Sequence, residues 1–441
     1  MVAMVVFAAP GQGQQTVDGS SATSTPVIIT LDEAIHRAQA NEPAFAASVA
    51  ESKAASLDRS IARAAMLPGA VYHNQALYTQ PNGQQNQAGQ GVGSQPSPRF
   101  IANNAVREYA SQGVVNETIG VAQVAEVKRA DAAAALAQAQ LEVARRGLVE
   151  TVVNLYYDSI AADQKLLVAK RAATEADAFA DLTSKREAVR EAAHADVIKA
   201  QLEQQQRRRD LADANVVAEK ASLELAVLLF PDPRTPYTLQ KSPSIAEVPT
   251  RAAIEAAATS SNPDLRSALA ALRQSNAEVL AARAAYLPDL GLNFTYGIDA
   301  PQFAVNGPDG VKNLGYSGSV TLDIPVWDWL STQHKVKQSE IRRDAARVAL
   351  TATQRRLIAN LEEAYSETTT AHDQLASLDQ SVQTAAESLR LTMLRYTGGE
   401  ATVLEVVDAQ NALTSAENAR EDGTVRYQTS LANLQTLTGT L

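Results

Sequence analysis

Hydrophobic positions follow two different periods along this chain. Over long stretches, apolar and small residues recur every three or four positions, the spacing of a helix with one buried stripe. The cleanest run is Leu350, Leu357, Leu361, Ala364, Thr368, Ala371, Leu375, Leu378, Val382, Ala385 and Leu389. Most of its steps fit the 3.5-residue seam of a coiled coil, and its small members let neighbouring helices approach closely. From about Val114 to Arg186 only Gly120 and Gly147 interrupt helix-compatible sequence. That predicts a rod of ~70 residues, or ~105 Å, which no compact domain needs.

The period drops to two after Leu67-Pro68 and again after Leu287-Pro288. In the second segment Leu290, Leu292, Phe294 and Tyr296 share one face, while Gly291, Asn293 and Thr295 share the other. A returning strand puts Tyr316, Val320, Leu322 and Ile324 on one face, with Ser317, Ser319, Thr321 and Asp323 opposite. One apolar face, one polar face and about ten residues per strand are the marks of a transmembrane barrel. A hairpin laid on a soluble domain would alternate in the same way. The first segment is poorer, because Tyr72 and Tyr78 share a face with Asn74, and the partner strand near Phe100 to Tyr109 carries Arg107. Two hairpins supply four strands, and open edges are not tolerated in lipid. The smallest single-chain barrels have about eight strands, so membrane strands here require at least two chains.

These patterns occur twice. Leu31 through Pro43 to Leu67-Pro68 recurs as Arg251 through Pro263 to Leu287-Pro288, with Pro43 and Pro263, like Pro68 and Pro288, 220 residues apart. Further on the offset settles at 209 without gaps, relating Leu148 to Leu357, Tyr156 to Tyr365, Arg186 to Arg395 and Ala200-Gln201 to Ala409-Gln410. The change of offset falls in the first hairpin loop, the Gln/Gly/Ser/Pro-rich stretch Thr79 to Pro98. The chain divides into residues 1–26 (an N-terminal segment), 27–230 (a first repeat), 231–249 (a Pro-rich linker) and 250–441 (a second repeat). Each repeat reads helix, strand, loop, strand, long helix, turn, long helix. The expected class is mainly α with membrane β.

Composition narrows the function. A net charge of −10 argues against nucleic-acid binding, which needs a clustered basic surface. Of the 441 residues, 45% are hydrophobic but only 5% aromatic, a balance that suits Ala-rich helices packed side by side better than a large globular core. No cysteine is present, which removes disulfides, thiolate metal sites and a lipid-acceptor cysteine together. No stretch approaches the ~20 apolar residues of a spanning helix. The apolar start, Met1 to Ala9, lacks a basic flank and fits a worn secretory signal or an unstructured beginning equally. Pro10 to Pro26 reads as unstructured.

Few residues carry chemistry. His36, His73, His194, His334 and His372 are scattered without metal-ligand spacing, and no phosphate loop or nucleophile motif occurs, so neither a metal, a cofactor nor an enzyme activity is expected. Arg207-Arg208-Arg209 reads as an exposed or intersubunit helix face. Glu405 and Asp408 lie three apart and share a helix face, which is either a solvated surface or, with several copies around one axis, a ring of carboxylates. Arg395-Tyr396-Thr397-Gly398-Gly399 closes the long helix with glycines that accept a left-handed turn. The first copy offers Arg186-Glu187-Ala188-Val189-Arg190 there, without glycine, so its turn is tighter or built by other residues.

The motif Arg395-Tyr396-x-x-Gly399, followed by Val403-Leu404-Glu405-Val406-Val407-Asp408-Ala409-Gln410, resembles the TolC family of bacterial outer-membrane efflux proteins, with a weaker echo at Asp196-Val197-Ile198-Lys199-Ala200-Gln201. The resemblance extends from Leu31 to Gly439. It implies a homotrimer with a twelve-stranded barrel in the outer membrane and a twelve-helix tunnel reaching through the periplasm. It also implies a periplasmic adaptor and an inner-membrane pump as partners at the far end, and passive export in efflux or type I secretion. Tyr396 and Asp196 match the family's paired tip residues, and Glu405 and Asp408 its constriction carboxylates. Ala401 stands where some members carry a tip arginine. The competing reading is a soluble coiled-coil scaffold without a pore, which has no use for two-faced strands.

Overall fold

Two prolines split what reads as one helix ahead of each hairpin. The computed structural model describes residues 27–78, 107–240, 247–307 and 310–440. In it α1 (Leu31–Asn41) stops at Pro43, which opens α2 (Pro43–Ala64), and α5 (Arg251–Ser261) stops at Pro263, which opens α6 (Pro263–Ala284). Proline is at home in a first turn, where its missing N–H would have no partner. Each second helix leads through Leu-Pro into a hairpin, β2 (Gly69–Tyr78) with β3 (Arg107–Gly120), and β5 (Asp289–Ala300) with β6 (Leu314–Asp323). Each hairpin leads into a long helix and a shorter one. These are α3 (Val121–Ala188, 68 residues) with α4 (His194–Leu229, 36 residues), and α7 (Ser331–Thr397, 67 residues) with α8 (Val403–Thr438, 36 residues). The Thr79 to Pro98 loop lies outside the described residues.

The rod starts later than its sequence suggests. Val114 to Gly120 is the end of β3 rather than the start of the helix; of the expected partner strand near Phe100 to Tyr109, Arg107 to Tyr109 belong to β3 and residues 100–106 lie outside the described residues. β3 pairs on both sides, with β2 from Gly69↔Asn116 and with β5 through Gly120↔Asp289, in the antiparallel order β2-β3-β5-β6. The two hairpins thus form one sheet, and β2 and β6 are its unpaired edges.

The helices are laid out in the same order. α6 packs between α3 and α7, and α2 covers the other side of α3. Farther from the sheet, α4 takes the place of α2 and α8 that of α6. Two asparagines fix this exchange. Asn41 Nδ2 donates to the Leu229 carbonyl at the end of α4 (2.7 Å), and Asn262 Nδ2 donates to the Leu437 carbonyl near the end of α8 (2.9 Å). Carbonyls in a helix's last turn have no partner within the helix, so each amide closes a helix end while setting the next short helix above it. About 54 Å of α4 below about 33 Å of α2 nearly matches the ~100 Å of α3. Equivalent ion pairs mark the upper register, Arg63 to Asp131 at 2.9 Å and Arg283 to Glu340 at 2.7 Å.

Along α7, Ala364, Thr368, Ala371 and Leu375 are buried, and the other seam positions are half-buried between exposed neighbours. Ala371 and Leu375 meet Tyr427 and Leu431 of α8. The segment joining the two copies is not a plain connector. Tyr237–Leu239 forms β4, parallel to β1 (Val27–Ile29). The fully buried Tyr156 of α3 donates its hydroxyl to the Gln240 carbonyl at 2.6 Å and lies 3.2 Å from the Ile29 carbonyl. Burial pushes this phenol up to about 12, so it remains a donor.

Candidate functional site at the helix-turn-helix tips

Both long helices end in the same turn although only one has glycine. In the α7–α8 turn Gly399 has φ +81°, and the Glu400 amide donates to the Arg395 carbonyl at 2.8 Å. In the α3–α4 turn Arg190 takes φ +65°, and the Glu191 amide donates to the Arg186 carbonyl, again at 2.8 Å. The first turn is therefore not tighter: Arg190 adopts the conformation that glycine takes in the second copy. A positive φ costs an L side chain roughly 1 kcal/mol. Arg190→Gly is accordingly expected to be neutral or to stabilise by up to about 1 kcal/mol, offset in part by glycine's freedom in the unfolded chain. Thermal unfolding of the detergent-extracted protein reads this out; a clear loss of stability would contradict the turn geometry.

The α8 end is capped by its own side chains. Thr402 Oγ1 accepts from the Glu405 amide at 3.3 Å, and Glu405 Oε1 accepts from the Thr402 amide at 3.2 Å, a reciprocal capping box. Arg395 Nη1 lies 3.3 Å from Glu405 Oε2. The Thr402 amide, then its hydroxyl and Arg395, hold the Glu405 carboxyl below the usual carboxylate range. Glu405 is therefore engaged with the turn, while Asp408 is exposed one turn further along. In the first copy Ala193 stands at the cap and gives α4 no side-chain cap. Asp196, the positional equivalent of Glu405, is half-buried in that uncapped first turn. Lys199 stands where the second copy has Asp408.

Tyr396 is the centre of the tip. It is 4% exposed and packs with Phe179, Ala180, Ala200, Val403 and Val406. Its ring meets Phe179 edge-on at 5.2 Å, and its hydroxyl lies 3.3 Å from Thr183 Oγ1. The Arg186 guanidinium stands 4.9 Å from the ring centre and donates to the Tyr396 backbone carbonyl. Among the described hydrogen bonds the Tyr396 hydroxyl is shared with Thr183 Oγ1, either group donating, and none joins it to Asp196. Tyr396 therefore clasps α7 to α3, joining the two hairpins of one chain. Thr183 and Phe179 were not evident as tip residues from the sequence, and Arg186 was placed at the turn without its contact to Tyr396. The 209-residue equivalence of Arg186 with Arg395 was the available signal. Ala401, where some members of the resembled family carry an arginine, packs against the apolar tip cluster.

Above the tip, polar pairs join the copies. Arg171 and Lys165 of α3 pair with Glu417 and Asp422 of α8. Arg207 of α4 bonds Asn411 of α8 as well as Glu203 (2.7 Å) and Asp210 (3.1 Å). The expectation that the arginine run forms an exposed or intersubunit face fails for Arg207. Its side chain is largely covered and its donors are used within the chain, because α8 crosses α4 at that level.

Residues 256–440 match the family described as outer membrane efflux protein. Among curated relatives, outer membrane protein OprJ of Pseudomonas aeruginosa is 27% identical over 172 residues, covering 39% of this chain and 36% of that protein. Protein CyaE of Bordetella pertussis is 26% identical over 346 residues, covering 76% of this chain and 70% of that protein. The match to OprJ thus spans little more than a third of its length. The fold extends the likeness over almost the whole chain. The CmeC outer membrane channel of Campylobacter jejuni superposes with a TM-score of 0.79 over 98% of this chain and 94% of its own, at 16% identity. The outer-membrane channel OprN gives 0.78 over 93% and 90%, at 18% identity. The second copy thus carries the outer membrane efflux protein pattern, and the described fold, with its doubled hairpins and continuous staves, is that of the CmeC and OprN channels.

Proposed function

We propose that three copies of this chain form an exit duct through the outer membrane, and that solutes handed over by an inner-membrane pump and its periplasmic adaptor leave through it. The observation that carries this reading is the sheet. It exposes Phe294, Tyr296, Tyr316, Val320 and Leu322 along its face and leaves β2 and β6 unpaired, a combination stable only where lipid covers the face and further strands close the edges. Among the described residues no helix is long and apolar enough to cross a membrane. A soluble scaffold would leave this face in water. In the proposed assembly the hairpin loops, including Asp299 to Asn313, face the exterior, and each repeat contributes one hairpin and one set of staves. Conductance of the purified protein in planar bilayers tests the duct; a detergent-extracted assembly that never conducts would refute it.

The tips form the periplasmic gate in this reading. Asp408 is the freer carboxylate, since Glu405 serves the cap, and three copies gather both around one axis, where like charges attract cations. Asp408→Asn is expected to lower cation preference and weaken block by multivalent cations in bilayers, leaving the fold intact. Unchanged reversal potentials in salt gradients would return Asp408 to an ordinary solvated face. Glu405→Gln is expected to act more on tip stability than on selectivity.

A further inference from the structure

One side chain on the outward row of the sheet does not suit lipid. The register places Ile119 beside Leu290, Glu117 beside Leu292, Val115 beside Phe294 and Gly113 beside Tyr296. Glu117 is therefore a carboxylate set in an apolar row. Other polar groups on this face satisfy one another: the Tyr72 and Ser111 hydroxyls are 2.8 Å apart, and Ser111 donates to Asn74 Oδ1 at 2.8 Å. Glu117 has no such arrangement. Its Oε2 has no hydrogen-bond partner, and the side chain as a whole is half-buried at the border of a groove. An ionisable group at membrane depth is costly and is retained where it has a task.

Glu117 lines an apolar groove of about 720 Å³, together with Val115, Leu292, Phe294 and Val320, with Pro68 and Gln123 at its lower rim. The groove lies on the broad face over β3, β5 and β6. Strands added at the β2 and β6 edges widen the sheet sideways and leave this face open. Its depth is bracketed. Tyr296 and Tyr316 lie level with each other higher on the band. Below it, just past the end of β6, Trp327 and Trp329 are 69% and 83% exposed, as tryptophans are where hydrocarbon gives way to headgroups.

We infer that the groove seats a phospholipid of the periplasmic leaflet whose headgroup carries a primary ammonium. The ammonium meets the Glu117 carboxylate, and an acyl chain lies toward the membrane centre along Val115, Leu292, Phe294 and Val320. A carboxylate only accepts hydrogen bonds, so the ligand must bring donors. A primary ammonium offers three with a matching charge, a trimethylammonium offers none, and an anionic headgroup is repelled. The inference rests on the duct reading, because it needs the face to lie in lipid.

Native mass spectrometry of the intact detergent-extracted assembly tests this, using added phosphatidylethanolamine, phosphatidylcholine and phosphatidylglycerol with identical acyl chains. The wild type is expected to retain the ethanolamine lipid about tenfold better than the other two, as one charge-assisted contact allows. Glu117→Gln should erase the preference while the assembly and its conductance persist. Val320→Trp, which keeps the carboxylate but fills the groove, should lower retention of the ethanolamine lipid. Equal retention of the three lipids by the wild type overturns the inference. So does a preference that survives Glu117→Gln, or retention unaffected by Val320→Trp. Because the measurement is made on a conducting assembly, a flat lipid profile counts against the lipid seat alone, whereas failure to conduct counts against the duct.

Discussion

Tyr396→Ala is expected to raise resting conductance more than any other single change at the tip. The ring is buried between α3 and α7, against Phe179, Thr183 and Arg186, so it is covered only while the two hairpins of a chain stay together. Truncating a buried aromatic costs about 3–5 kcal/mol. If opening the tip uncovers the ring, even about 2 kcal/mol of that belongs to the closed state and shifts the closed-to-open ratio about 30-fold. Tyr396→Phe keeps the ring and loses only a 3.3 Å contact with Thr183, so it should stay near wild type. Arg186→Ala should fall between, because it removes the group that stacks on the ring and holds the Tyr396 carbonyl. Single-channel recording in planar bilayers separates the three. Equal opening by Tyr396→Phe and Tyr396→Ala would show that the hydroxyl, rather than ring packing, is the clasp.

The second large effect is expected on the sheet. In the proposed assembly Phe294 faces lipid with Leu290, Leu292 and Tyr296, and it stacks on Tyr316 of β6 with ring centres 6.3 Å apart. Phe294→Arg places a guanidinium on that face in every copy, at about 2–4 kcal/mol each near the bilayer midplane. The penalty recurs with each copy in one barrel, so assembled protein in the outer-membrane fraction should fall to a small residue. Asn293→Arg, one position away, lies on the side the proposed assembly turns to its lumen and should assemble normally while altering conductance. Identical behaviour of the two variants would mean that the faces are assigned wrongly, since a strand's neighbours point to opposite sides.

Much of this architecture was legible because it rests on local rules. The Leu-Pro marks, the seam from Ala364 to Leu375 and the clean alternation of β5 and β6 all survive in the structure. The start of α3 was misplaced for a specific reason. Glu117 interrupts the apolar face of Val115 and Ile119, so Val114 to Gly120 loses its two-residue signature, and only pairing with β2 and β5 reveals a strand. β1 and β4 are three residues each and far apart in sequence, too short for any periodicity to register. The tip was legible as a motif but not as a set of contacts. Tyr396 carried a family pattern, yet its partners Thr183 and Arg186 lie more than 200 residues away and are selected by how α3 and α7 pack. Arg190 likewise hid the geometry of its turn, because glycine is the usual sign of a positive φ and the first copy has none there.

Counting the chains in the membrane-extracted protein bears most directly on the central claim. A four-stranded sheet with two unpaired edges and one lipid-facing side cannot stand alone in a bilayer. Native mass spectrometry of protein extracted from membranes with detergent should therefore give an assembly of three chains, and little protein should leave the membrane without detergent. A monodisperse single chain in detergent-free buffer would contradict the account.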